Sequence, residues 1–251
     1  MRRFYFTLWF FIITSGSLIS AETALNHSAE EAAIVLEGSR VTYAGKINDN
    51  NIERFLHTVA GKPVSELIIS SIGGEVNAGM KMGEWVFEHH VDIVIERMCM
   101  SSCANYVFTA GRKKTINKNS IVAWHGSILQ ANESSDEDLR AAVIEGYALL
   151  PENEKKKLVL EDLITQSIRQ MREYRSITTA RQERYFHKIG VDEFICRVGN
   201  DKYGAEDFFF LSVKDMAAFG VLNVHAPIDY ENIDLSPFRQ TGKKIALIKL
   251  Q

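Results

Sequence analysis

A serine, a histidine and a glycine pair stand at three places in this sequence from which they could act together on one carbonyl carbon. Ser102 precedes Cys103-Ala104 at the expected start of a helix. A helix N-terminus favours negative charge there, and the small neighbours Ser101 and Ala104 leave room for a substrate. His125 lies between Trp124 and Gly126-Ser127. An imidazole with a near-neutral pKa suits removal of a hydroxyl proton at physiological pH. Gly73-Gly74 follows Ser71-Ile72, and a glycine pair can adopt positive φ and bring its amides close to a ligand. On this reading Ser102 attacks, His125 takes the proton, and amides of Gly73, Gly74 and Cys103 hold the oxyanion. Each piece alone has an ordinary alternative as helix cap, structural histidine or tight turn. Their order along the chain favours the joint reading.

These groups can meet only if three strand ends lie in one row, and the hydrophobic pattern predicts that they do. Short apolar runs at 32–36, 41–44, 67–69, 92–95 and 121–124 read as strands. Between them, Ile52, Phe55, Leu56 and Val59 recur with helical spacing after the capping pair Asn48-Asp49, and Met80, Met82, Trp85 and Val86 mark a second helix. A third helix runs to Ala110-Gly111. Such alternation predicts an α/β fold with a mainly parallel sheet and right-handed crossovers, whose C-terminal strand ends gather the site. From Ser135, which can form a capping box with Asp138, the chain turns helical and charged as far as about Lys188. Its apolar positions need a partner surface, either the sheet or another subunit in a homo-oligomer. The ending reads as a strand at 207–211, a short helix capped by Ser212, and a strand at 221–224. The expected division is a leader (1–21), an α/β core (22–130), a helical arm (131–195) and a closing part of the core (196–251).

With 251 residues, 46% hydrophobic and 24% charged, the chain can bury one substantial core with an appendage. The net charge of -3 and the scattered lysines and arginines argue against nucleic acid as a partner. Arg2-Arg3, the apolar run 4–14 and Ser20-Ala21 have the order of a secretory signal peptide cleaved after Ala21, which predicts a periplasmic or secreted protein; a retained anchor is the alternative. In an oxidising compartment Cys99 and Cys103 could be bridged if the chain turns between them; otherwise both are small buried thiols, and Cys196 is a free one. Too few ligands lie near the cysteines for a metal site, and the proposed chemistry needs no cofactor.

Taken together, the motifs resemble the proteolytic subunit of the Clp proteases within the Clp/crotonase superfamily. Ser71-Ile72-Gly73-Gly74 is similar to that family's Ser-Pro-Gly-Gly strand, and Ala78-Gly79-Met80 follows as in its next helix. Ser102 with Ala110-Gly111 resembles its nucleophile segment, and 119–125 (Asn-Ser, an apolar run, then His125) its histidine strand. Leu211-Ser212 and Phe219-Gly220-Val221 resemble its closing elements. The likeness covers roughly residues 40–126 and 207–224. It implies repeated β-β-α units and a carboxylate that orients His125, for which Asp207 is the first choice, with Asp201 and Glu206 as alternatives; a dyad without an acid is also open. The cysteines around the serine resemble an exported group of Clp-like proteins, in which a Cys99–Cys103 disulfide would make sense.

The function these readings predict is ATP-independent hydrolysis of peptides or unfolded segments by an exported serine hydrolase, with no ATPase partner. Two other classes compete with it. One is a catalytically inactive module that keeps the fold for binding or assembly; the other is a crotonase-like acyl-CoA enzyme, disfavoured by export and by the Ser102/His125 pair.

Overall fold

The computed structural model describes residues 31–130, 135–238 and 243–250. The predicted leader and its cleavage point after Ala21 lie outside these residues. A seven-stranded sheet forms the centre: β1 (Ala33–Glu37), β2 (Arg40–Ala44), β3 (Glu66–Ser71), β4 (Asp92–Met100), β5 (Lys114–Ile116), β6 (Ile121–Ala123) and, later in the chain, β8 (Val224–His225). β7 (Phe208–Leu211) pairs in parallel with β9 (Ile245–Ile248) in a separate two-stranded sheet. All pairings of the large sheet are parallel except β1 with β2, which confirms an α/β fold with a mostly parallel sheet.

β4 is the axis of this sheet. Its N-terminal half pairs with β5 (Ile93 opposite Lys114), and its C-terminal half pairs with β6 (Met98 opposite Ile121). The apolar run at 92–95 marks only the first half. The second half, Glu96 to Met100, begins with the charged pair Glu96-Arg97 and runs into the expected turn at Cys99–Cys103, yet pairing with both β3 and β6 keeps it extended as far as Met100.

Two helices pack beside the strands. α1 (Asp49–Val59) begins where Asn48 accepts a hydrogen bond from the Asn51 amide and buries Ile52, Phe55 and Val59, as its spacing predicts. α2 (Val76–Glu88) buries Met80, Met82 and Val86, and also Gly79 and Gly83. The two glycines are one helical turn apart and face the segment 102–106. A Cβ on Gly79 would lie 2.8 Å from the Tyr106 ring, and one on Gly83 2.5 Å from the Tyr106 carbonyl oxygen. Only hydrogen at both positions lets the two backbones come this close.

The chain divides into two compact units: the described residues of 30–130 and 177–251, and those of 131–176. In the second unit, α3 (Asp136–Ala148) has the predicted capping box, with Ser135 and Asp138 bonding each other's backbone amides, and Arg140–Glu161 and Arg172–Asp136 ion pairs tie its helices together. A one-turn helix, α4 (Glu152–Lys155), separates α3 from α5 (Leu160–Ile189). The arm therefore ends earlier than the predicted 195. From residue 177 onward α5 belongs to the first unit, where Thr178, Gln182, Tyr185 and Phe186 are buried. Helical spacing runs unbroken through this boundary, so periodicity alone could not mark it.

Candidate active site

The strand registers set the row that the site requires. Ser71 lies opposite Cys99, and Cys99 opposite Val122, so β3, β4 and β6 end together. Beyond these ends come Gly73-Gly74, Ser101-Ser102 and His125. The ladder continues one step further, since the Ser101 amide donates to the Ala123 carbonyl at 3.0 Å.

The serine that meets the histidine is Ser101. His125 Nε2 lies 2.7 Å from Ser101 Oγ, within reach for a proton to pass between them. Ser102 Oγ instead donates to the Gly74 carbonyl at 2.6 Å and is buried. The expectation that Ser102 faces His125 is thus corrected by one residue: Ser101 is the residue at which the chain turns, its amide bonding Ala123 in the sheet and its carbonyl accepting from Asn105 in the helix. Cys103–Phe108 is a π-helix, which holds an extra residue per turn relative to an α-helix. The widened turn frees carbonyls, and side chains meet them: Thr109 Oγ1 donates to Asn105 O at 2.7 Å, and the buried Tyr185 hydroxyl donates to Tyr106 O.

Ser101 has φ of 55°, a left-handed conformation that is costly for a residue with a Cβ and persists where the surroundings impose it. Those surroundings are visible. Cys99 at the end of β4 and Cys103 at the start of the π-helix form a disulfide across 5.1 Å between their Cα atoms, and so bracket Ser101. Gly73 backs the same turn, with φ of 87°; a Cβ there would sit 2.4 Å from Met100 O and 2.7 Å from Ser101 Cβ. Cys196 is free and buried, as expected, and burial raises its thiol pKa well above the ordinary value.

The amides are arranged differently from the prediction. Gly73 N–H donates to Ser71 Oγ at 3.0 Å, and Cys103 is one residue beyond the amide that follows the serine in contact with His125. The Gly73 carbonyl and the Glu75 amide both bond Ile47, each at 2.9 Å. In an extended chain alternate residues face opposite sides, so the Gly74 amide points with its carbonyl toward Ser102. The Ser102 amide is at the helix start, where N–H groups have no partner within the helix. Gly74 and Ser102 are thus the backbone donors that the strand and helix ends leave on this side, Ser102 Oγ bonding the Gly74 carbonyl between them.

The closing segment brings the carboxylate. Trp124 and Phe209 exchange both backbone hydrogen bonds at 2.8 Å, which lays Asp207-Phe208 alongside His125; the His125 and Phe208 rings are 4.6 Å apart. Burial pushes the His125 pKa down to about 4; Lys243 pushes in the same direction and Asp207 opposes it. Asp207 is also held by Lys243 Nζ at 3.3 Å and by the Lys244 amide at 3.0 Å. Of the three candidate acids it is the one whose charge reaches the imidazole, whereas Asp201 pairs with Arg197 and Glu206 with Lys244. Sequence reasoning missed Lys243, and also Ser101 as the partner of His125. A lysine 36 residues from Asp207 carries no local signal, because only the β7–β9 pairing joins them. Among the described residues no group of three or more His, Cys, Asp or Glu side chains could hold a metal ion.

No protein-family model matches this chain, and no curated protein is significantly similar to it.

Proposed function

We propose that this protein is a serine hydrolase, most readily a peptidase, in which Ser101 is the nucleophile and His125 the general base. The observation that carries the reading is the 2.7 Å approach of His125 Nε2 to Ser101 Oγ at the C-terminal edge of a parallel sheet, beside a helix N-terminus. Ser101 Oγ passes its proton to His125 Nε2 and attacks the substrate carbonyl. Negative charge on the carbonyl oxygen is met by the Ser102 and Gly74 amides. Collapse of the tetrahedral adduct expels the leaving amine, which takes the proton from His125. Water, deprotonated by the same imidazole, then releases the acyl group from Ser101. Asp207 supports the transient imidazolium through its charge.

The motifs similar to the Clp proteolytic subunit support a Clp/crotonase-type arrangement of repeated β-β-α units. The disulfide beside the nucleophile and the leader-like N-terminus support export to an oxidising compartment, where peptides or unfolded segments would be processed without an ATPase partner. One observation favours the competing reading of a binding module without turnover: Lys243 neutralises Asp207 and opposes protonation of His125. A fluorophosphonate probe separates the two. Labelling of the purified chain that persists in Ser102→Ala and vanishes in Ser101→Ala and in His125→Gln supports the hydrolase. A folded wild-type protein that takes no label overturns it.

A further inference from the structure

His125 stands where β6 has ended, so its own strand no longer fixes it. The next two residues are held from three directions. The Gly126 amide donates to Cys196 O at 2.8 Å, Asn105 Nδ2 donates to Gly126 O at 2.9 Å, and Ser127 Oγ donates to the Glu193 carboxylate. Glu193 is only 12% exposed. It also accepts from Gln182 Nε2 at 3.2 Å and from Arg197 Nε at 3.1 Å. Gln182 is fully buried, and its other amide atom, Oε1, accepts the Tyr106 hydroxyl at 2.5 Å. Tyr106 belongs to the π-helix that Ser101 leads into, while Ser127 belongs to the segment that His125 leads into. One chain of hydrogen bonds, Tyr106–Gln182–Glu193–Ser127, thus spans from the serine's helix to the histidine's loop.

We infer that Gln182 and Glu193 act as a clamp that sets the separation of Ser101 and His125, which makes them, with Ser127, positioning residues for the reaction proposed above. Every member of the clamp is satisfied. Glu193 is neutralised by Arg197, and both ends of the Gln182 amide are used, the condition under which a buried polar network fixes geometry. The chain of contacts is also specific. A hydrophobic residue at 182 could fill the space, but it could not hold Tyr106 and Glu193 at one distance. Because proton transfer between Oγ and Nε2 needs hydrogen-bond contact, a displacement of about 1 Å is expected to slow Ser101 by one to two orders of magnitude.

The inference rests on the catalytic reading for its rate effect; its spectroscopic effect rests on the hydrogen-bond geometry together with the burial that lowers the His125 pKa. The charges acting on the His125 ring among the described residues are those of Lys243 and Asp207, so a change at Ser127 or Glu193 reaches the ring through position and burial. The test titrates the His125 ring by NMR in the full chain, assigned with His125→Gln, and measures fluorophosphonate labelling rates in parallel. Ser127→Ala should raise the His125 midpoint from its low value toward 6.5 as water gains access, and slow labelling roughly tenfold or more. Ser127→Thr, which keeps the hydroxyl, should restore both. If Ser127→Ala does not fold, Glu193→Gln carries the same comparison. A His125 midpoint unchanged in a folded variant overturns the clamp, whether or not labelling slows. A shifted midpoint in a protein that never labels leaves the clamp standing and removes the hydrolase.

Discussion

The protonation of His125 gives the sharpest test of the site's electrostatics. Burial, reinforced by Lys243 and opposed by Asp207, brings its pKa from 6.5 to about 4. The base is therefore neutral, and able to accept the Ser101 proton, well below neutral pH. At pH 5.5 about 97% of such an imidazole is neutral, against about 9% of one with an ordinary pKa, so the fraction of protein competent for labelling at Ser101 is about tenfold larger at that pH and the rate has already reached its plateau. The assay is the second-order rate of fluorophosphonate labelling from pH 3.5 to 8. It should rise through about pH 4 and stay level above about pH 5.5. Lys243→Met removes a cation and should move the acid limb to higher pH; Asp207→Asn removes an anion and should move it lower. The same displacement acts on stability. Between 6.5 and 4 the unfolded chain binds the proton that the folded chain refuses, so this group's contribution is complete above pH 6.5 and is lost as pH falls through 4. Its size is roughly 3 kcal/mol at most, and His125→Gln should flatten the acid side of the stability curve by up to that amount. An acid limb near 6.5, or Lys243→Met and Asp207→Asn moving it the same way, would refute the assignment of these causes.

Two further outcomes are expected. Gly73→Ala should destabilise the protein by about 2 kcal/mol or more, because positive φ and overlap with Met100 O and Ser101 Cβ combine; a denaturant midpoint equal to wild type would contradict this. Replacing Cys99 and Cys103 together by serine should cost roughly 2 kcal/mol and slow labelling of Ser101, since the bridge that brackets its left-handed backbone is gone. Equal labelling rates at equal folded fraction would show that strand pairing and Gly73 suffice to hold the turn.

Much of this architecture was legible because it rests on local rules. The caps at Asn48, Ser135 and Ser212 all form as their spacing suggests, and the alternation of apolar runs with amphipathic helices led to a mostly parallel sheet. The row of site elements was legible for the same reason, because parallel strands joined by short crossovers must end on one edge. What escaped was whatever depends on non-local pairing. The end of β4 at Cys99-Met100 looks like part of a turn until β6 pairs with it, Lys243 reaches Asp207 only through the β7–β9 ladder, and Gln182 and Glu193 look like ordinary solvated residues of charged segments.

The exchange of Ser102 for Ser101 has a more local origin. Two adjacent serines offer the same chemistry to composition, motif and spacing, so only backbone direction can choose between them. A residue in the left-handed conformation at a strand end turns its side chain away from where an extended residue would place it, and the following residue enters the helix. Ser101 is that turning residue: its amide still belongs to the sheet, donating to Ala123, while its carbonyl already accepts from Asn105 in the helix. Its hydroxyl is thereby placed at the mouth of the turn beside His125, and that of Ser102 is carried beneath it against Gly74. The two hydroxyls then have separable duties. Ser102 ties the glycine strand to the helix start and so keeps the Gly74 and Ser102 amides at a fixed spacing. Its loss should lower the labelling rate through the oxyanion site while leaving the His125-dependent acid limb where it is; loss of Ser101 removes the reaction itself.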